Sequence, residues 1–428
     1  MNTIKYYSKK SMIAILCFAF LISGCNKDNS DSKSLSFCFK DGYIKDHGWV
    51  VLHNLSGTEV IDYKRVEKDG YVSFGKIDES SVTISYIVIE KVNGDKGQNK
   101  FIDINSYYDV PIGNWKIENY KFSKESLGTA NISMTYPQSN YNEYFLSTSD
   151  NYINSTEVPT GGINHVLETH RIEDGDKYSI YGSVLNNDGG YCGWLLDQDF
   201  YSNQVNYYYL ALDRPLNIAD VTSSQPLHDI YLYGCRYQPY SSLRVFKKRY
   251  NELPQNEEIN HKLYYPENMP VDKWMLRCFY NPEGSSCGYT KFFDKEQGLP
   301  ENLIIPNNNI IATYDEYNDE ITNIQINGTA DNIFGRWSYY QYDDSIFIYW
   351  KVYANRDRLK ISKPQLPFEV IQDIGETLNN MECDYVGIID YNTTSNHADI
   401  INRFFISDIL KDELYDESSD CLYFFNYK

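Results

Sequence analysis

The sequence lacks several patterns on which common protein chemistries depend. No two cysteines are separated by two residues, and neither G-x-G-x-x-G nor G-x-x-x-x-G-K-[ST] occurs. A Cys-x-x-Cys spacing is typical of zinc sites and thioredoxin-like redox centres, and the glycine-rich loops are typical of nucleotide sites. These absences predict no metal and no cofactor.

Basic residues are also scarce. The chain has 39 Lys and Arg against 59 Asp and Glu, a net charge of −20, and removal of Lys5, Lys9 and Lys10 in a cleaved leader would give −20 − 3 = −23. Nucleic-acid binding draws on clustered Lys and Arg, so nucleic acid is not an expected partner. The scattered acidic charge favours solubility.

What the chain does have is aromatic residues, with 41 Tyr and 20 Phe. Aromatic side chains fit pleated, half-buried surfaces, so the composition favours strands. A chain of 428 residues is long enough for several domains of about 100–200 residues each. We therefore expect a mainly β protein of tandem β-sandwich domains, immunoglobulin-like or transthyretin-like, with a short α-helical element near the C-terminus.

The first residues have the pattern of an export signal. Residues 1–10 are positively charged, residues 12–22 form an apolar run of 11, and the small residues Ser23 and Gly24 follow. The run is shorter than the ~20 residues that span a bilayer, which favours a signal peptide over a membrane helix.

Ile22-Ser23-Gly24-Cys25 resembles the lipobox of bacterial lipoproteins. The resemblance implies a 1–24 signal peptide, a diacylglyceryl group on the Cys25 thiol, acylation such as palmitate on the new N-terminus, and anchoring in the outer membrane. Several acyl chains anchor a protein stably without spanning the bilayer. The polar residues 25–36 predict a flexible tether. The periplasmic face and the cell surface both remain open.

Residues 37–110 predict a β-sandwich. Apolar runs at Trp49–Leu52, Tyr71–Phe74 and Val82–Ile89 are separated by turn signals at Ser56-Gly57 and Asp69-Gly70. This order of strands resembles the carboxypeptidase-regulatory-like, or transthyretin-like, domain, which commonly serves as a non-catalytic support. A general immunoglobulin-like sandwich has much the same pattern.

The rest of the chain predicts two further domains. Proline and glycine at 111–113 indicate a boundary, so residues 111–248 are expected to form a second sandwich and residues 249–428 a third β-rich domain. Residues 250–310 predict irregular connections with short strands. Near the C-terminus, helical spacing predicts one helix over 367–381 and another over 395–412.

Two sets of residues are candidates for special roles. Cys278 and Cys287 flank a Pro-Glu-Gly turn and could form a disulfide in an oxidising compartment. The exposed half of an aromatic cluster could stack on sugars or contact a protein, and half of it is expected to face inward because side chains alternate along a strand. This candidate platform consists of Trp337, Tyr339, Tyr340, Tyr342 and Trp350.

No catalytic residue can be assigned from the sequence. The pattern favours a membrane-anchored lipoprotein with a binding, adhesion or scaffolding role, with a glycan or a protein as partner. The alternative is a glycoside hydrolase-like extracellular hydrolase that uses two of the 59 scattered carboxylates on a polymeric substrate.

Overall fold

The residues described by the computed structural model are mostly in β-strands, which confirms the mainly β prediction. The structure describes residues 34–39, 43–44, 46–68, 70–94, 97–117, 126–137, 140–149, 151–170, 176–186, 189–223, 226–237, 240–249, 259–280, 285–296, 298–306, 310–317, 320–328, 330–341, 346–375, 378, 380–391, 401 and 421–427.

The first seven strands form one two-sheet unit, which we call the first unit. Its small sheet has the strand order β4-β1-β7, and its large sheet has the strand order β3-β2-β5-β6. The strands are β1 (Ser34–Phe39), β2 (His47–His53), β3 (Val60–Val66), β4 (Tyr71–Lys76), β5 (Ser81–Gly94), β6 (Gly97–Pro111) and β7 (Asn114–Ile117).

The second unit follows after residue 126. Its small sheet has the order β11-β8-β14 and its large sheet the order β10-β9-β12-β13-β15. The strands are β8 (Gly128–Thr135), β9 (Glu143–Thr148), β10 (Tyr152–Ser155), β11 (Ile163–Thr169), β12 (Lys177–Asn186), β13 (Gly189–Asp199), β14 (Val205–Ala211) and the short β15 (Arg214–Pro215).

The third unit has the small sheet β19-β16-β22 and the large-sheet order β18-β17-β20-β21. Its strands are β16 (Asn217–Ser223), β17 (Leu227–Tyr237), β18 (Tyr240–Arg249), β19 (Ile259–Tyr265), β20 (Lys273–Tyr280), β21 (Ser285–Asp294) and β22 (Asn302–Ile305).

The C-terminal unit contains a small sheet of order β23-β24-β27 and the neighbouring strands β29-β28-β25-β26. Its elements are β23 (Ile311–Tyr317), β24 (Glu320–Asn327), β25 (Asn332–Gln341), β26 (Ile346–Asn355), β27 (Ile361–Ser362), the helix α1 (Phe368–Ile374), β28 (Glu382–Tyr391) and β29 (Cys421–Tyr427).

The first three units share one topology. In each, the first strand lies between the fourth strand, antiparallel to it, and the seventh, parallel to it. The second, third, fifth and sixth strands form the facing sheet. An immunoglobulin constant domain instead places its first, second, fourth and fifth strands together. The chain therefore contains a threefold topological repeat without a fixed sequence period.

The large sheets of the first and third units join through the C-terminal unit into one sheet of 12 strands. β6 pairs in parallel with β26, and β29 lies between β21 and β28, antiparallel to both. The first unit's small sheet packs on one face of this sheet, and side chains of β24, β27 and α1 pack on the other. Several of its central strands are therefore buried on both sides.

Local sequence explains these elements. Residues 82–90 of β5 are buried without interruption, as expected for a β-branched run between two layers. At the predicted Asp69-Gly70 turn, Gly70 has φ +68, and a Cβ there would lie 2.7 Å from the carbonyl oxygen of Phe39. Only glycine adopts this conformation readily, so the turn signal has a steric basis.

Strand pairing divides the chain elsewhere than predicted. β7 lies beyond the expected boundary at 111, yet it pairs with β1 and completes the first unit. β19 and β22 lie beyond 248 but share a sheet with β16. The expected tether 25–36 also ends early, because β1 begins at Ser34. Turn residues near 111 mark a connection inside a unit, not its end.

The first C-terminal helix is confirmed in part. α1 begins after Pro367 and ends at Ile374, where Gly375 has φ +116. Leu378 and Met381 are buried beyond the helix end. Of the second expected helix, Ile401 is helical and buried, and the other positions over 395–412 lie outside the described residues.

Candidate functional site

Two members of the candidate aromatic platform are core residues. Trp337 is 0% exposed and Trp350 is 3% exposed, and both lie in the core between the 12-stranded sheet and β24, β27 and α1. The indole nitrogen of Trp350 donates a hydrogen bond to Ser106 Oγ at 2.9 Å. The interpretation of these two tryptophans as a ligand platform is wrong, because they point toward the covered face of β25 and β26.

The remaining members divide between the faces of β25. Tyr339 packs against the same core as Trp337, and its hydroxyl donates to Gln341 Oε1 at 2.8 Å, as the predicted alternation requires. Tyr340 is on the opposite face, 43% exposed, with its ring 6.3 Å from that of Phe347. Phe347 stacks on Phe101 at 4.7 Å. Tyr342 lies outside the described residues.

Of the two cysteines in the predicted disulfide, the structure describes the side chain of Cys278, whereas that of Cys287 lies outside the described part. Cys278 is a free, fully buried cysteine, and burial raises the pKa of its thiol. Backbone register places Cys278 opposite Tyr289, and Cys287 opposite Tyr280. The two positions are therefore diagonal neighbours, typically about 7–8 Å apart, and do not lie directly opposite each other. A disulfide needs Cβ atoms about 3.8 Å apart.

The predicted lipidation residue, Cys25, lies outside the described residues, as does the leader before it. In the part of the chain that the structure describes, no helix has the length and apolar character needed to cross a membrane.

An exposed aromatic surface lies on the second unit. Along β14 the side chains alternate strictly between core and solvent, so Tyr208 is buried while Tyr207 is 65% exposed and Tyr209 is 76% exposed. The two exposed tyrosines share one face of the strand, and strand geometry places their Cα atoms about 6.6 Å apart. Tyr208 is held in the core by a hydrogen bond from its hydroxyl to the Asp199 carbonyl oxygen at 3.0 Å.

Register extends this surface across three strands. Tyr207 lies opposite Asn131, which lies opposite Val166, and Tyr209 lies opposite Ser133. We call this outward surface of the small sheet the tyrosine face. Its residues are Thr129, Asn131, Ser133, Thr135, Asn164, Val166, Glu168, Val205, Tyr207, Tyr209 and Ala211.

The chemistry of the tyrosine face is amphipathic and nearly uncharged. The rings and two valines provide flat apolar area, and the neighbouring hydroxyl and amide groups both donate and accept hydrogen bonds. Among its residues only Glu168 carries a charge. The three consecutive tyrosines at 207–209 are visible in the sequence, but the sequence alone does not indicate which of their rings face outward.

A cleft of about 280 Å³ lies between the second and third units. One wall comes from the start of β9 and the end of β12, and the other from β18 and β19. The lining residues are Asn142, Glu143, Leu185, Asn186, Phe246, Lys247, Asn260, His261, Lys262 and Tyr264. No sequence motif indicated this cleft, because its four strands come from separate parts of the chain.

Beside the cleft, two cationic side chains contact one tyrosine ring. The ammonium of Lys247 donates to the Tyr152 hydroxyl at 3.1 Å, and the Arg244 guanidinium lies 3.8 Å from the centre of the same ring. The hydrogen bond from Lys247 lowers the pKa of Tyr152 against the opposing effect of burial, and Arg244 adds to the lowering. These contacts join β10 of the second unit to β18 of the third.

The contact between the two units also includes a shared core and an ion pair. Phe145, Tyr181 and Cys192 of the second unit pack into the core of the third. Arg236 donates two hydrogen bonds to the Asp197 carboxylate, at 2.8 and 2.7 Å. Bidentate pairs of this kind fix orientation as well as distance, so the cleft has well-defined walls.

One catalytic motif in the chain has the wrong structural setting. Residues 284–288 read Gly-Ser-Ser-Cys-Gly, which matches the G-x-S-x-G nucleophile elbow. In that elbow the serine sits on a turn from a strand to a helix. Here Ser286 lies within β21 and pairs with Phe425 of β29. Among the described residues, no group of three or more His, Cys, Asp or Glu could hold a metal ion.

Comparisons with known proteins found one weak structural similarity among those described below. No family model matches the chain, and no curated protein matches it. Among solved structures, the chain is similar to a "putative cell adhesion protein" from Parabacteroides distasonis ATCC 8503, with 7% identity and a TM-score of 0.14; the match covers 42% of this chain and 89% of that one.

Proposed function

We propose that this chain is a lipid-anchored envelope protein that binds a neutral polymeric saccharide through the tyrosine face and does not cleave it. The observation that carries the proposal is the pair of exposed rings, Tyr207 and Tyr209, on the outward face of β14. Exposed apolar area of this kind on a soluble domain commonly marks an interaction site.

The chemistry of the face favours a saccharide. Aromatic rings pack against the C–H faces of sugar rings, and Asn131, Ser133 and Asn164 offer hydrogen-bond donors and acceptors to hydroxyl groups. The outward face of a strand suits an extended chain, since successive units of the polymer contact both rings at once. The near absence of charge favours a neutral polymer.

The anchor is part of the proposal. A lipid on Cys25 is supported by the lipobox-like Ile22-Ser23-Gly24-Cys25. β1 begins at Ser34, so the intervening segment reaches at most about 30 Å. Metabolic labelling with palmitate tests the anchor: we expect label and membrane association in the parent and loss of both in Cys25→Ala. A membrane-bound Cys25→Ala protein would contradict it.

The strand order of the first unit supports its assignment to the transthyretin-like class, which the sequence pattern resembles. The first and seventh strands lie side by side in parallel, in a small sheet that excludes the second and fifth strands. This arrangement speaks against the immunoglobulin alternative. A supporting, non-catalytic role for this unit is consistent with the binding proposal.

The binding proposal is tested with immobilised neutral polysaccharides. We expect the full chain to be retained, and the double variant Tyr207→Ala, Tyr209→Ala to bind about tenfold more weakly or worse, because truncation of central aromatic contacts typically costs more than 1 kcal/mol each. Tyr71→Ala is the matched control, since Tyr71 is also exposed, at 57%, but lies on β4 of the first unit.

Three outcomes overturn the proposal. Release of soluble sugar would favour the hydrolase alternative. If the double variant and Tyr71→Ala lost the same affinity for the polysaccharide, the tyrosine face would not be the binding site. If the full chain were retained on no neutral polysaccharide, the tyrosine face would be a site for a protein partner instead.

A further inference from the structure

We propose that the cleft between the second and third units is a separate binding site for a small saccharide that carries a carboxylate. The site goes beyond the tyrosine face: it lies at a different place on the second unit, it is concave, and its charge has the opposite sign from that of the chain as a whole. Four features of its walls lead to this ligand class.

The first feature is size. The cleft measures about 280 Å³, close to the lower end of the ~300–1,000 Å³ range of small-molecule sites. This volume suits one or two sugar rings. The position between two units is also where small-molecule sites commonly occur.

The second feature is a set of amide side chains. Asn142, Asn186 and Asn260 line the cleft, and each amide has both donors and acceptors, as sugar hydroxyls require. Asn260 is held in place because its Oδ1 accepts a hydrogen bond from Thr222 Oγ1 at 2.8 Å. Its amide N–H groups are thereby oriented away from Thr222.

The third feature is an apolar wall. The rings of Phe246 and Tyr264 lie 6.4 Å apart, centre to centre, inclined at 40°. Phe246 is nearly buried, whereas Tyr264 is half-buried, so the tyrosine ring is the one that a ligand reaches. An aromatic ring beside amides is the combination that recognises a sugar ring with one apolar face and polar edges.

The fourth feature is local positive charge. Lys247 and Lys262 line the cleft against one acid, Glu143, in a chain of net charge −20. Lys247 is pre-positioned by its hydrogen bond to Tyr152 at 3.1 Å, and an ammonium has three donors, so others remain for a ligand. Arg244, stacked on the same Tyr152 ring, adds positive potential behind it. A carboxylate matches this charge.

The experiment uses the full chain and two related disaccharides, digalacturonate and its neutral counterpart galactobiose, in calorimetric titrations. We expect digalacturonate to bind at least about tenfold more tightly, because hydrogen bonds between an ammonium and a carboxylate are stronger than those between neutral groups. Lys262→Gln and Lys247→Gln are each expected to remove about tenfold in affinity. Lys116→Gln is the matched control, an exposed lysine on β7 outside the cleft.

Each outcome decides between explanations. Equal binding of both disaccharides, or lysine variants no weaker than Lys116→Gln, would overturn the proposal. Competition by inorganic phosphate at the same concentration would indicate a general anion site instead, and no binding would refute the site. The variant Tyr207→Ala, Tyr209→Ala separates this inference from the proposed function, since it is expected to bind digalacturonate unchanged.

Discussion

Trp337 and Tyr340 lie three residues apart on β25 and face opposite ways. Trp337 is fully buried beneath β24, β27 and α1, whereas Tyr340 is 43% exposed beside Phe347. An aromatic side chain therefore stabilises the core at position 337, whereas at position 340 it is part of the exposed surface. Which role applies depends on what covers each face of the sheet.

This division leads to a prediction about stability. Trp337→Ala should lower the free energy of unfolding by about 3–5 kcal/mol, because it leaves a large cavity in a packed core. Tyr340→Ala, the matched control on the other face, should cost less than about 1 kcal/mol. Urea unfolding followed by circular dichroism measures both. Similar losses in the two variants would show that Tyr340 is also a core residue.

Alternation along β25 could be predicted from the sequence, but the covered face could not. Residues at even spacing share a face by strand geometry alone. The covering layer, however, comes from β24, β27 and α1, and no local pattern specifies that they pack on the Trp337 side. The same limit applies to Tyr207 and Tyr209, whose exposure depends on the core beneath β14.

At the scale of elements, α1 is held to the first unit by polar contacts. Asp373 Oδ2 accepts hydrogen bonds from the Trp49 indole nitrogen at 2.8 Å and from His47 Nε2 at 2.7 Å. The Lys100 ammonium donates to the carbonyl oxygens of Asp373, at 2.5 Å, and Ile374, at 3.1 Å. These last carbonyls of α1 have no partner within the helix, so Lys100 acts as its C-terminal cap.

Asp373 makes this contact dependent on pH. Partial burial raises the pKa of Asp373, but hydrogen bonds from Trp49 and His47 outweigh that effect and hold the pKa below its ordinary value. A carboxyl with a lowered pKa in the folded state stabilises the fold above its unfolded pKa of about 3.9. The contribution is lost as the pH falls through the lower, folded pKa.

We therefore expect Asp373→Asn to lower the free energy of unfolding by about 1–2 kcal/mol at pH 7. The difference from the parent should begin to shrink as the pH falls below about 4, where Asp373 becomes protonated in the unfolded chain, and should vanish as the pH falls through the lower pKa of the folded state. Urea midpoints at pH 7, 5 and 3.5 measure this. Asp357→Asn is the control, an exposed carboxylate. A difference that is unchanged across the pH range would contradict the ionic contribution.

Elements with strong local signals were predictable, and others were not. The apolar run at 82–89 predicts β5, and the Asp69-Gly70 pair predicts the turn before β4. Both predictions succeed because β-branched side chains and a positive φ are local properties of the sequence. Residues 250–310 were expected to be largely irregular, yet they contain β20 and β21. β20 is buried along most of its length, so it has no alternation to reveal it.

At the scale of the whole molecule, the 12-stranded sheet joins strands that are far apart in sequence. β6 pairs with β26, and β29 fills the gap between β21 and β28. Pairings of this range leave no local trace in the sequence, which is why three consecutive domains were expected. The threefold repeat likewise has no fixed period in the sequence, because the three units share their topology while their loop lengths and side chains differ.

The position of β29 gives a prediction about the assembly of the sheet. Removing residues 421–428 would leave the edges of β21 and β28 without their shared partner, and unpaired edges promote association with other chains. We expect a lower urea midpoint and self-association at micromolar concentration, measured by light scattering after size-exclusion chromatography. Removal of Lys428 alone, which leaves β29 intact, is the control. If the longer truncation stayed monomeric with an unchanged midpoint, β29 would not be what connects the third unit to the C-terminal unit.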